Sequence, residues 1–251
     1  MASDTWNPDQ YHRFQSERQQ PFFDLLALVQ PAADMRVVDL GCGTGELTRE
    51  LHARLGARET LGLDSSAAMI ERSAEHVVDG LRFAHADIGD VSADGAYDLV
   101  FSNAALHWLP DHPALLARLT RALRPDGQLA VQVPANHDHP SHLVAAGLAA
   151  DFGIPPRESP VLPPEAYAVL LERLGYAQQH VRLQVYLHRL PSRDDVVEWV
   201  KGTLLTDYER RLSPEAFREF LVRYRERLLP RLEDTRPYGF AFKRILFRAR
   251  R

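Results

Sequence analysis

Along the first half of the chain, short apolar runs alternate with stretches whose apolar residues recur every three or four positions. Arg36 to Leu40 is the first such run, and a continuous apolar run predicts a strand buried on both faces. Glu46 to Leu55 then carries Leu47, Leu51 and Leu55 at helical spacing. The alternation repeats. Strands are predicted over Glu59 to Leu63, Leu81 to Ala84, Tyr97 to Ser102 and Gln128 to Val133, and helices over Ala67 to Glu75 and Asp111 to Ala122. Arg124-Pro125-Asp126-Gly127 predicts a turn, in which Pro125 sets one dihedral and Gly127 supplies the permissive one. Strands alternating with helices imply an α/β fold with right-handed crossovers and a parallel, doubly wound sheet. Ligands then bind beyond the carboxyl ends of the strands.

The pattern changes after Pro134. Ala135 to Pro164 is rich in proline and predicts a loop, carrying His137, His139 and His142. A helix is predicted from Pro164 to Leu174 with Gly175 as its cap, and a strand with period-two alternation from Val181 to Leu190. Two helices over Arg193 to Leu205 and Pro214 to Leu232, then a strand over Phe240 to Arg248, complete the chain. The arginines at 248, 250 and 251 read as a solvated end. The expected architecture is therefore a doubly wound, Rossmann-like sheet of seven strands, with helices inserted at about 191–237 as a lid. Before the first strand, residues 1–35 are expected to be helical, with Tyr11, Phe14 and Arg18 on one stripe and Pro21 to Gln30 amphipathic. That segment serves as a core-packing element, a flap over the site, or both. Residues 36–134 form the ligand-binding core, and 135–251 complete the same domain.

The chemistry begins at the end of the first strand, in Val37 to Thr48, VVDLGCGTGELT. Gly41, Gly43 and Gly45 let the backbone turn sharply and approach a ligand closely. No Lys-Ser/Thr follows, so a Walker-type phosphate loop is excluded, and the third glycine comes one residue early for the dinucleotide fingerprint. Asp39 at the strand end repels a diphosphate and suits a cationic ligand. Asp64 ends the second strand, ~20 residues beyond the glycines, where a carboxylate accepts from both hydroxyls of a ribose. Its bland alternative is a helix cap, together with Ser65 and Ser66. Asp87 at the third strand end suits an adenine amino group, and Ile88 a ring face. Met69 packs on the base or in the core. Asn103 ends the fourth strand, so Asp39, Asp64, Asp87 and Asn103 all lie at carboxyl ends.

Composition narrows the field further. A net charge of -4 over 251 residues offers no footprint for nucleic acid or an anionic membrane, and no apolar run approaches the ~20 residues of a span. The one cysteine, Cys42, rules out an internal disulfide, fits a reducing cytoplasm, and reads as a packing residue. The three histidines invite a metal, but their compressed spacing, the prolines around them and the lack of a cysteine partner argue against one.

These residues resemble the class I S-adenosylmethionine-dependent methyltransferases. The resemblance rests on WNPDQY at Trp6 to Tyr11, VVDLGCGTG, GLDSSAAMI at Gly62 to Ile70, HADI at His85 to Ile88, SNAALHWLPDH at Ser102 to His112, LAVQVP at Leu129 to Pro134 and VEWVKGT at Val197 to Thr203. Within the family it is to the group acting on trans-aconitate. The resemblance implies S-adenosylmethionine as cofactor, S-adenosylhomocysteine as product and no metal. It places Tyr11, Phe14, Arg18, Gly41, Gly43, Ser65, Ala104 and His107 against the cofactor beside the strand-end residues. It implies a cytoplasmic monomer or weak homodimer whose partner is a small-molecule methyl acceptor. The acceptor is expected to be a carboxylate such as trans-aconitate, bound by cations among Arg193, Lys201, Arg236, Lys243 and Arg244. A hydroxyl or carbon acid would need a base, for which His107 is best placed; its bland alternative is packing on Trp108. Other metabolites (quinone-pathway, polyketide-type or carrier-bound acyl groups) and cofactor binding without catalysis are competing readings. After Thr203 the chain departs from that group, with Leu204-Leu205 where an arginine–proline pair stands.

Overall fold

The structure, a computed structural model, describes residues 15–91, 94–155 and 159–251. Seven strands lie in the order β3-β2-β1-β4-β5-β7-β6: β1 Arg36–Leu40, β2 Glu59–Asp64, β3 Leu81–His85, β4 Tyr97–Asn103, β5 Leu123–Pro134, β6 Gln178–Leu190 and β7 Tyr238–Arg250. The helices are α1 Gln15–Leu26, α2 Glu46–Leu55, α3 Ala67–Ser73, α4 His112–Ala122, α5 Pro140–Ala149, α6 Pro164–Arg173, α7 Asp195–Lys201, α8 Thr206–Arg211 and α9 Pro214–Leu228. β1 pairs in parallel with β2 and β4, and the parallel set extends to β3 and β5. β7 runs antiparallel to β5, so the sheet is mixed rather than parallel throughout. Register brings the carboxyl ends level, with Leu40 opposite Leu63, Asp64 opposite His85 and Asn103 opposite Gln132.

The chain divides into two compact units. One holds residues 19–134, 160–184 and 244–251. Its core contains Phe22 and Leu25 of α1, Leu51 of α2 and Val37, Leu99, Phe101, Ala130 and Leu246 of the sheet. Val37 and Val38 are buried together, as a central strand covered on both faces requires. Ser102 Oγ donates to the Leu40 carbonyl at 2.8 Å, satisfying a buried acceptor where β1 ends. The described residues of the other unit are 15–18, 135–155, 159 and 185–243. Its core gathers Trp199, Phe220, Tyr224, Phe240 and Phe242 with Val144 and Leu148 of α5.

Several expectations are corrected. Ala135 to Pro164 is not all loop: α5 starts at Pro140, whose missing N–H costs nothing in the first turn, and His139 accepts from Ser141 N–H as the cap. The helix expected over Arg193 to Leu205 is α7 alone, stopped near Gly202 and followed by α8. α9 ends at Leu228, and Pro230 lies in a short 3-10 turn. α1 ends at Leu26 rather than Gln30. The turn before β5 lies within the strand, beside a register shift at Tyr97/Leu99, and Asp126 takes the positive φ of 62° expected of Gly127.

Of the terminal arginines, Arg251 is exposed as expected, but Arg248 and Arg250 are not simply solvated. Arg248 is buried and its Nε donates to the Leu28 carbonyl at 3.1 Å. Arg250 donates to the Asp126 carbonyl and Gln30 Oε1, and Arg251 to the Thr120 carbonyl. Only the pairing of β7 with β5 could place them there.

Candidate active site

The glycine turn after β1 is held by the neighbouring strand. The N–H groups of Gly41 and Cys42 both donate to the Leu63 carbonyl, at 2.8 and 3.0 Å. Gly41 has φ +80°, and a Cβ there would lie 2.2 Å from the Cβ of Ala105 in the loop after β4. Gly43, at φ +56°, would meet nothing within 4 Å. The first glycine is thus demanded by packing of one loop on another. The second leaves open space beside the backbone, which is where a ligand can approach.

Asp39 is buried at 4 % exposure, and Thr48 Oγ1 donates to its Oδ2 at 2.6 Å. Burial, with the Asp64 charge adding to it, pushes its carboxyl up to about 7, against the Thr48 hydrogen bond. The unfolded chain ionises this group near about 4. Stability therefore falls as pH rises between those values, and the penalty is complete above about 7. At pH 5 the wild-type carboxyl is protonated and resembles an amide. Asp39→Asn, which keeps an acceptor for Thr48, should therefore melt above the wild type by a small margin at pH 5 and by several degrees more at pH 8 without ligand. Equal melting at both values would remove the buried-charge account.

Asp64 accepts from Gly43 N–H through Oδ2 and from Ser66 N–H through Oδ1, each at 2.9 Å. The helix cap is Ser66, whose Oγ accepts from Met69 N–H, so the capping role weighed for Asp64 falls to another residue. Each Asp64 oxygen keeps a lone pair for a further donor. The Ser65 carbonyl meets His85 Nε2 at 3.0 Å. Met69 is only half-buried and so is not core. Asp87 is exposed and its Oδ1 accepts from Gly89 N–H at 2.7 Å, while Ile88 is buried.

At the end of β4, Asn103 carries a buried Oδ1 with no partner among the described residues. Ala104 follows at φ 54°, a left-handed conformation costly for a residue with a Cβ, held by its N–H donating to the Gln132 carbonyl at 3.0 Å. His107 lies in the 3-10 turn Leu106–Trp108, its ring 4.6 Å from that of Trp108. The turn is fixed from behind: buried His112 meets the Leu106 carbonyl through Nε2 and the Tyr167 hydroxyl through Nδ1. Burial lowers the His112 pKa, which suits a neutral ring that donates at one nitrogen and accepts at the other. Tyr11 and Phe14 lie outside the described residues, and Arg18 lies in α1.

Other candidates are disposed of locally. The Cys42 thiol is pushed far up by burial and by Asp39 and Asp64, so it is inert as a nucleophile. His139 and His142 bond Ser141, His137 bonds Ser159, and burial drives all three pKa values down, His142 to about 3. Among the described residues no group of three His, Cys, Asp or Glu is arranged to hold a metal ion. Of the five cations, Arg193 bonds Asp234 and two carbonyls, Lys201 pairs with Glu198, Lys243 pairs with Asp138 and Arg236 is exposed. Arg244 alone of the five is buried. Sequence reasoning passed over Gln132, although a glutamine inside the run LAVQVP was visible as a polar break in an apolar strand.

The strand order and the glycine turn after β1 fit the fold of the class I S-adenosylmethionine-dependent methyltransferases. The comparisons with known proteins agree. A methyltransferase domain family model matches residues 11–181. The chain is 47 % identical to the trans-aconitate 2-methyltransferase of Deinococcus radiodurans, covering 98 % of each. The fold matches the YcgJ protein of Bacillus subtilis at a TM-score of 0.61 and 18 % identity, covering 93 % of this chain and 98 % of that one. It also matches an S-adenosylmethionine-dependent methyltransferase of Mesorhizobium loti at 0.55 and 22 %, with the same coverage. The chain belongs to the S-adenosylmethionine-dependent methyltransferase family, and its acceptor is a small molecule.

Proposed function

We propose that this chain transfers the methyl group of S-adenosylmethionine to a carboxylate oxygen of trans-aconitate. The observation that carries this is the 47 % identity, over 98 % of both chains, to a protein bearing that activity in its name. The site's own chemistry fits the cofactor: a buried acid in want of a cation, an open backbone at Gly43 and an Asn103 oxygen without a partner among the described residues. When bound, the cofactor supplies a methyl group on a positively charged sulfur, already activated for displacement.

In this reading Asp64 grips the ribose and Asp87 the adenine amino group. Gly41, Gly43, Ser65, Met69 and Ile88 frame the nucleoside. Asp39, Asn103 and Ala104 face the amino-acid end, and His107 orients rather than abstracts. Tyr11, Phe14 and Arg18 belong to the same set. The acceptor carboxylate is ionised at neutral pH and needs no general base, so the residues supply orientation and exclusion of water. The acceptor oxygen gains the methyl, and the sulfur leaves as a neutral thioether with its electron pair.

We also read the protein as a cytoplasmic monomer or weak homodimer with no nucleic-acid or membrane partner. The net charge of -4 supports this, and no described helix is long and apolar enough to cross a membrane. Incubation with labelled S-adenosylmethionine and trans-aconitate should yield a labelled methyl ester, read by mass spectrometry. Tight binding of S-adenosylhomocysteine with no ester formed would overturn the acceptor while leaving the cofactor in place.

A further inference from the structure

We infer that Gln132 recognises a carboxylate of the methyl acceptor. The inference rests on the proposed reaction and names a residue for its unassigned half. If Asp87, Asp64 and Asp39 hold adenine, ribose and amino acid, the cofactor runs along the ends of β3, β2 and β1 in that order. The next strands across the sheet are β4 and β5. The methyl group then emerges toward β4, and the acceptor must approach from the ends of β4 and β5.

Gln132 stands there. It is the register partner of Asn103, and residues paired in parallel register project to the same face of the sheet. Its side chain is fully buried, at 0 % exposure, yet among the described residues neither Oε1 nor Nε2 has a partner. An unpaired buried amide costs about 1–3 kcal/mol for each group left unmade, and a carboxamide here is worse for folding than a leucine. The fold tolerates it between Val131 and Val133, both buried. Its backbone has a separate duty, since the Gln132 carbonyl holds Ala104. That bond does not depend on the side chain, so the amide is surplus to the structure.

The antiparallel neighbour extends the row. Gln132 pairs with Leu246 on β7, and the next position on that face is the buried Arg244, opposite Pro134. An amide N–H donor with an arginine two positions along the same face suits a carboxylate. Nε2 donates to a carboxylate oxygen, and Oε1 accepts from water or from a hydroxyl of the acceptor. A polycarboxylate offers one group to be methylated and others to be held, and Gln132 holds one that is not methylated.

The test is the kinetics of Gln132→Leu and Gln132→Glu with trans-aconitate, beside titration with S-adenosylhomocysteine. Gln132→Leu should raise the KM for trans-aconitate at least tenfold, with a smaller change in kcat. S-adenosylhomocysteine affinity should stay within about twofold, and the melting temperature should stay equal or rise. Gln132→Glu, nearly the same shape but repelling a carboxylate, should lose acceptor binding further and keep cofactor affinity; it carries the test if the leucine variant does not fold. An unchanged acceptor KM overturns the inference, as does a parallel loss of S-adenosylhomocysteine affinity. A wild-type protein that binds S-adenosylhomocysteine but esterifies no polycarboxylate overturns the proposed reaction, and this inference with it.

Discussion

Replacing Asp64 by alanine is expected to weaken S-adenosylmethionine and S-adenosylhomocysteine binding by at least ~100-fold. Hydrogen bonds to a charged acceptor contribute about 1.5–3 kcal/mol each, and the ribose diol offers two donors. The carboxylate also accepts from Gly43 N–H and Ser66 N–H, so its loss leaves the glycine turn and the start of α3 without their common anchor. Cofactor site and scaffold therefore fail together. Calorimetric titration, with far-UV circular dichroism to establish folding, measures the effect. A folded Asp64→Ala protein whose affinity lies within threefold of wild type would show that the ribose is held elsewhere.

The second large effect is expected at Gly41. An alanine Cβ there would stand 2.2 Å from the Cβ of Ala105, and neither atom can rotate away because both are set by backbone. The φ of +80° adds strain for any residue with a side chain. Overpacking and strain together suggest about 4 kcal/mol, or a melting point lower by roughly 10 °C for a chain of this size. Because the contact joins the turn after β1 to the loop after β4, cofactor affinity should fall as well. Gly43→Ala, which meets nothing within 4 Å among the described residues and carries only the strain of its φ of +56°, should melt closer to wild type than Gly41→Ala and lose affinity mainly through intrusion on the ligand. If the two variants melt alike, the distinction between a packing glycine and a ligand-facing glycine is wrong.

Most of the sheet and its acids was legible in the chain. β1 to β5 follow from apolar runs, because strands covered on both faces have no polar side to disguise them. Asp39, Asp64 and Asp87 stand out because each closes such a run. Local chemistry was harder to read where two signals compete. α5 is hidden in the chain because prolines and histidines suggest a loop, although Pro140 sits in the first turn, where a missing N–H is harmless. α8 was merged with its neighbour because apolar spacing continues across Gly202 while the backbone does not.

By itself, then, the sequence determined the strand alternation, the glycine turn and the order of the strand-end acids, since these depend on neighbours a few residues apart. Only the tertiary structure decided what depends on strands far apart in the chain. It put Ala105 against Gly41. It drew Arg248, Arg250 and Arg251 into bonds, and left the amide of Gln132 buried without a partner among the described residues. Burial and pairing are properties of what surrounds a residue, and β7, folding back antiparallel beside β5, brings those surroundings from the far end of the chain.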